Sequence, residues 1–166
     1  MKVVWVILAT AAAVALQTTL DRWIPLGTVD LVPIVVVYFA LTSGRVTGML
    51  TGTFAGLVQD ALSGAVIGMA GLSKTVVGFA AGVVGTQFIV AHSFSRFVVF
   101  MLASLVDQLI FRGLYEGLGL RHFGWSYAQL AGHALGNAVL GVLLFKLTEL
   151  LPGAVERRRH ARGLRR

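Results

Sequence analysis

The sequence predicts an all-α polytopic membrane protein of about six transmembrane helices in a compact bundle. Three observations carry that expectation. Apolar residues make up 57% of the 166-residue chain and charged ones 13%, about half the charged share of an ordinary soluble domain. The mean hydropathy of +0.83 implies more apolar surface than a soluble core of this size can hide. Finally, long apolar runs alternate with short breaks marked by Gly, Pro and Asp, as spans alternate with turns. The absence of cysteine excludes disulfides and thiolate sites.

Span one is expected over Val3 to Leu20, long enough to cross about 30 Å of hydrocarbon, with Trp5 and Trp23 as interface anchors. Lys2 followed by an apolar run has the form of a signal peptide, but the residues after it make a poor cleavage site, so a retained span is expected. Pro25 and Gly27 mark the linker. Asp30 then stands as an N-cap, with Pro33 tolerated in the first turn of span two. That span, Leu31 to Thr42, rises only about 18 Å; it is either partial, tilted or buried by its neighbours. Its Val-rich strand-like composition does not matter, because an open sheet edge cannot sit in lipid.

Ser43-Gly44-Arg45 turns the chain into span three, Val46 to Leu62. A Gly-rich stretch leads to span four, Leu72 to Ala91. Span five, Phe97 to Leu114, carries Asp107 and Gln108 in its apolar middle. A loop from Tyr115 to Ser126 holds Trp125 as an anchor. Span six, Tyr127 to Leu151, is expected to end at Pro152-Gly153. The chain thus divides into a transmembrane domain over residues 1–152 and a basic cytoplasmic tail over 153–166.

The stretch from Gly44 to Thr86 reads as two helices folded back on each other. Gly44, Gly48, Gly52 and Gly56 recur every four residues, which strips one side of the helix of side chains. Gly78 and Gly82 do the same on the return helix. Small residues let backbones approach in lipid, where no hydrophobic force joins helices. These glycines are therefore candidates for packing within the hairpin or against a partner span, with packing within it favoured.

Polar groups inside apolar spans need partners. Gln59, Asp60 and Lys74 lie at the turn of the hairpin. Asp60 and Lys74 are expected at similar depth, and an ion pair closing the hairpin is the first reading; a ligand or ion site near the same face is the second. Asp107, His133 and Asn137 form another group, since His133 and Asn137 are four apart on one helix face. Interhelical hydrogen bonding is favoured there over proton transfer between Asp107 and His133.

Several chemistries are excluded or disfavoured. GMAGLSKT (Gly68 to Thr75) falls one residue short of a phosphate-binding loop, since Ser73 stands where glycine is needed and no strand precedes it. Ser63 and His133 resemble the nucleophile and base of an intramembrane serine protease, but no oxyanion donors accompany them. The scattered histidines make a poor metal site. No cofactor is implied. The pI near 10.9 comes largely from Arg157, Arg158, Arg159, Arg162, Arg165 and Arg166, a topology anchor beside anionic lipid rather than a nucleic-acid surface. Six spans put Lys2, Arg45, Arg96 and the tail on one side, with Arg22, Arg112 and Arg121 on the other. By the positive-inside rule both termini are cytoplasmic.

The run from Asp30 to Gly78 resembles the MreD family of the bacterial rod-shape-determining system. The resemblance rests on Asp30-Leu31 opening a short span, the glycines of span three, Gly56-Leu57 with Gln59-Asp60, then Gly64, Gly68, Leu72 and Lys74-Thr75. Size, hydropathy and the basic end fit over nearly the whole chain. MreD-like proteins look similar in fold to the substrate-binding subunits of energy-coupling-factor transporters. The resemblance implies a non-catalytic inner-membrane protein that binds the single-span protein MreC. It further implies support for the elongation complex of RodA and its penicillin-binding transpeptidase, with MreB acting indirectly. A small-molecule (vitamin-type) binding subunit of a transporter is the alternative.

Overall fold

The computed structural model describes residues 2–23, 30–87, 92–120, 124 and 126–163, without the side chains of 2–5, 20–23 and 151–163. Among these residues the chain forms six α-helices and no strand: α1 Lys2–Trp23, α2 Leu31–Ser43, α3 Arg45–Ser63, α4 Met69–Gln87, α5 Ser93–Gly117 and α6 Tyr127–Gly163. Three stretches among the described residues are long and apolar enough to cross a membrane: Met69–Gln87, Ser93–Gly117 and Tyr127–Leu150. Val6–Thr19 and Leu31–Ser43 are shorter apolar helices. The protein is an α-helical membrane protein. The linker holding Pro25 and Gly27, the loop residues Arg121, His122 and Trp125, and the side chains of Trp5, Arg22, Trp23 and the tail arginines lie outside the described residues.

Side-chain contacts fix the direction of each helix. Gln17 near the end of α1 accepts the Leu31 N–H at the start of α2, at 2.9 Å. Ser73 near the start of α4 meets Asp107 in the second half of α5, and Tyr115 further along α5 accepts the N–H of Val66, just before α4. Ser104 bonds Asn137 between α5 and α6, while Arg96 and Glu149 pair at the other end. The helices alternate in direction. One end of the bundle gathers the starts of α2, α4 and α6 with the ends of α3 and α5; it is called the far end below, opposite the end where α1 begins.

The short α2 is the central post. Its 13 residues span about 20 Å, yet Val32, Pro33, Ile34, Val36, Val37 and Ala40 are buried. Val32 and Val36 pack with Val14 of α1 and Ala55 of α3; Ile34, Val37 and Ala40 pack with Val77 and Ala81 of α4, Phe100 of α5, and Ala138 and Phe145 of α6. Of the three readings the sequence left for this element, burial by neighbours describes it. Asp30 caps it by accepting the Val32 N–H at 3.0 Å. Gly44 closes α2 and opens α3 as a single-residue joint with φ +89°. A residue with a β-carbon is strained in that conformation.

Helix α3 is amphipathic inside out. Gly48, Thr51, Gly52, Ala55, Gly56 and Asp60 are buried, whereas Val46, Leu50, Phe54 and Leu57 are exposed. Small and polar residues face the bundle while large apolar ones face outward, as expected when the surroundings are lipid.

Several sequence expectations change; α5 runs Ser93–Gly117, beginning before Phe97 and taking in the first residues of the loop expected from Tyr115 to Ser126. Pro152-Gly153 does not end the last helix, which continues to Gly163. Proline removes one backbone bond but does not forbid the helix, and Ala154, Glu156, Arg157, Arg158, Arg159 and Ala161 beyond it include strong helix formers. The chain beyond residue 152 is thus joined to the bundle by continuous helix rather than by a break. In addition, α4 begins at Met69, earlier than Leu72, because Asp60 holds its first turn as described next.

Candidate functional site

The α3–α4 hairpin closes backbone on backbone. A β-carbon built on Gly48 would strike the Gly78 carbonyl, one on Gly52 the Lys74 carbonyl, and one on Gly56 the Ala70 carbonyl. From the other side, Gly78 lies against Gly48 and Gly82 against Arg45. These contacts share a single antiparallel register. Gly44 stands apart: its nearest contact for a β-carbon is Thr86 Cγ2 at 3.7 Å, and its role is the joint before α3. Thr53 and Thr75 add a hydroxyl pair across the hairpin at 2.7 Å.

That register places the charges. Lys74 is opposite Gly52, two helical turns from Asp60, about 12 Å along the axis. The expected Asp60–Lys74 ion pair therefore does not form. Asp60 instead accepts the backbone N–H groups of Gly68 at 2.9 Å, Ala70 at 3.1 Å and Gly71 at 3.3 Å. Those groups are the unsatisfied donors at the start of α4, where the helix dipole favours a carboxylate. Asp60, from the preceding helix, thus holds the first turn of α4 in place.

Lys74 turns the other way, into the bundle. Its Nζ lies 3.4 Å from Asp30 Oδ2 and 3.3 Å from Asp107 Oδ2. The Lys74 and Asp107 side chains are only 3% and 6% exposed, against 24% for Asp30. One ammonium thus ties α4 to the N-cap of α2 and the middle of α5. Ser73 Oγ is within hydrogen-bond reach of both the carbonyl and the carboxylate of Asp107.

Asn137 completes the frame differently from the expected Asp107–His133–Asn137 group. It donates to Ser104 Oγ at 2.9 Å and accepts the Asp30 N–H at 3.1 Å, so it joins α6 to α5 and α2. Asp107 is engaged by Ser73 and Lys74. His133 Nδ1 has no hydrogen-bond partner among the described residues. The first donors of α2 are consequently held from three directions: Asn137 takes the Asp30 N–H, Gln17 that of Leu31, and the Asp30 side chain that of Val32.

All six polar residues singled out in the sequence, Gln59, Asp60, Lys74, Asp107, His133 and Asn137, line one cavity of about 250 Å³ at the far end of the bundle. Spacing along the chain separates them into two groups; folding brings them together through α2. Asp30 is a member that the sequence did not announce. Its place before Leu31 marks it as a cap, which it is, but its second oxygen reaches Lys74. Arg112 and Ser104 also line the cavity; Ser104 gives no signal in an apolar span until its partner is known.

The near-motifs resolve through the same contacts. The N–H groups around Gly68 to Gly71 are engaged by the Asp60 carboxylate, which would repel a phosphate. Ser63 donates within its own helix to the Gln59 carbonyl at 2.7 Å. Among the described residues no group of three or more His, Cys, Asp or Glu is arranged to hold a metal ion.

No curated protein and no solved structure matches the chain. The sequence model of one family does, described as rod shape-determining protein MreD, and the match runs over residues 1–151. That match takes in α1 to α5, α6 as far as Leu151, and every residue of the cavity, so the chain belongs to the MreD family of rod shape-determining proteins.

Proposed function

We propose that the protein is a non-catalytic scaffold of the bacterial cell elongation machinery, binding an MreC-like single-span protein and supporting peptidoglycan synthesis. The observation that carries this reading is the family match over residues 1–151, which gives the role in rod shape. In this reading the chain sits in the inner membrane with six crossings and both termini cytoplasmic. The basic residues Lys2, Arg45 and Arg96 support that orientation. RodA, its penicillin-binding transpeptidase partner and, indirectly, MreB belong to the same assembly. Because Gly48, Gly52, Gly56, Gly78 and Gly82 are turned inward against the hairpin backbone, contact with MreC falls to outward side chains rather than to the glycine stripes.

The test is affinity purification of the tagged native protein in a gentle detergent, with identification of what accompanies it. A single-span protein with a periplasmic domain, together with cell-wall synthases, is the expected result. The cavity is the one observation favouring a transporter binding subunit; recovery of paired ATPases with a coupling membrane subunit would replace the scaffold reading with that one.

A further inference from the structure

We infer that the far-end cavity is a binding site for a small uncharged ligand carrying an amide, one that presents a hydrogen-bond donor and acceptor together. The charged groups lining it are largely committed to the fold. Lys74 is held between Asp30 and Asp107, and Asp60 is held by the first N–H groups of α4. Three neutral atoms stand beside these charges: Gln59 Oε1, Gln108 Nε2 and His133 Nδ1 are buried without a hydrogen-bond partner among the described residues, and all three residues line this cavity. Buried polar atoms are seldom left unpaired in a folded protein, and each such case calls for an explanation.

The two amides are oriented by their charged neighbours. Gln59 Nε2 points to the Asp30 carboxylate at 3.4 Å, which leaves its carbonyl oxygen for the cavity. Gln108 Oε1 accepts from Arg112 Nη2 at 3.5 Å, which leaves its NH2 for the cavity. A carboxylate fixes one glutamine and a guanidinium fixes the other, so neither amide flips without losing that neighbour. The cavity therefore offers one acceptor and one donor of fixed identity, with His133 Nδ1 as a third group that serves as either according to its tautomer. Phe111 supplies an apolar wall. A single amide, with its own N–H and C=O, is the complement of that pair.

Charge selects further. Three carboxylates (Asp30, Asp60, Asp107) face two cations (Lys74, Arg112) around the cavity. An anion would meet net repulsion in surroundings of low dielectric, where such interactions are strong. A volume of about 250 Å³ lies just below the usual range for sites that hold drug-sized ligands, so the ligand is smaller than those. This inference goes beyond the scaffold reading and does not depend on it.

The test compares two near-isosteric probes, N-acetylglycinamide and the anion N-acetylglycine, on the full chain in lipid nanodiscs by equilibrium dialysis. Saturable binding of the amide, on the order of millimolar for so small a probe, with tenfold weaker or undetectable binding of the acid, is expected. Gln59→Leu and Gln108→Leu should each weaken amide binding by roughly tenfold; since each also forfeits a long hydrogen bond to Asp30 or from Arg112, the readout is affinity for the amide in protein that retains its fold. A merely structural role for the glutamines would lower the unfolding midpoint and leave the affinity of the folded protein for the amide unchanged. No saturable binding of the amide, equal binding of the acid, or full binding retained in both leucine variants would overturn the assignment. The probe comparison uses the unmodified protein, so its outcome does not rest on a variant folding.

Discussion

Two antiparallel helix pairs in this molecule close by opposite means. In the α3–α4 hairpin, backbone meets backbone: Gly52 and Gly56 lie against the carbonyls of Lys74 and Ala70, with no space for a single carbon. In the α5–α6 pair, side chains make the contact. Phe100 and Phe145 stack edge to face with ring centres 6.0 Å apart, Arg96 covers Phe145 at 4.4 Å, and Asn137 bonds Ser104. Here one glycine, Gly141, makes room for the Phe100 ring rather than for a backbone. The first arrangement holds its helices rigidly in one register, which fixes where Asp60 and Lys74 point. The second is built of adjustable side chains, which suits the α5 and α6 walls of a cavity.

Lys74 connects the two pairs, and removing it should have the largest effect. Lys74→Met leaves Asp107 buried at the junction with the ammonium that faces it gone. Breaking a buried pair from one side typically costs about 3–5 kcal/mol, so the variant should lose most of its folded yield in detergent. Adding Asp107→Asn should recover a large part of that loss, because the uncompensated charge is then removed. Unfolding by SDS titration of mixed micelles measures both; a double variant no better than the single one would show that Lys74 acts by packing instead.

Gly52→Ala should have the next largest effect. The added carbon collides with the Lys74 carbonyl, and neither backbone can move without shifting the whole register. Overpacking of this kind costs about 3 kcal/mol. A hairpin able to slide would accommodate the methyl group, and an unchanged SDS midpoint would refute the fixed register. Because Asp60 and Lys74 are aimed by that register, the same variant should also disturb the cavity.

The fold is legible in the sequence where one kind of side chain has one physical use. Glycines at a four-residue spacing cannot form a core of their own, so the spacing alone announces a close helix contact. Apolar runs mark the helices for the same reason. The cavity is legible in membership but not in pairing. Asp60 and Lys74 look matched when depth is judged by distance from the turn, but the residues between them include Met69 and Ala70, whose helix starts earlier than its apolar run suggests. Three donors at that start satisfy Asp60, and backbone donors carry no letter in the sequence. The role of Asp30 in pairing Lys74 is hidden because α2 sits between hairpin and α6, an arrangement that burial of its Val-rich faces decides.

The smallest effect sharpens the contrast most. Among the described residues, nothing lies within 4 Å of the place a β-carbon would occupy on Gly132 in α6. There the substitution made at Gly52 meets no obstacle, and only the intrinsic preference of the helix acts. Alanine is favoured over glycine in a helix interior by roughly 0.5–1 kcal/mol, because glycine loses more backbone freedom on ordering. Gly132→Ala should therefore raise the SDS midpoint slightly, where Gly52→Ala lowers it sharply. The same atom added to two helices of one bundle then has opposite signs. If Gly132→Ala instead destabilises, α6 is approached by a neighbour in the membrane at that face, and the glycine is part of a contact with another chain rather than a neutral position.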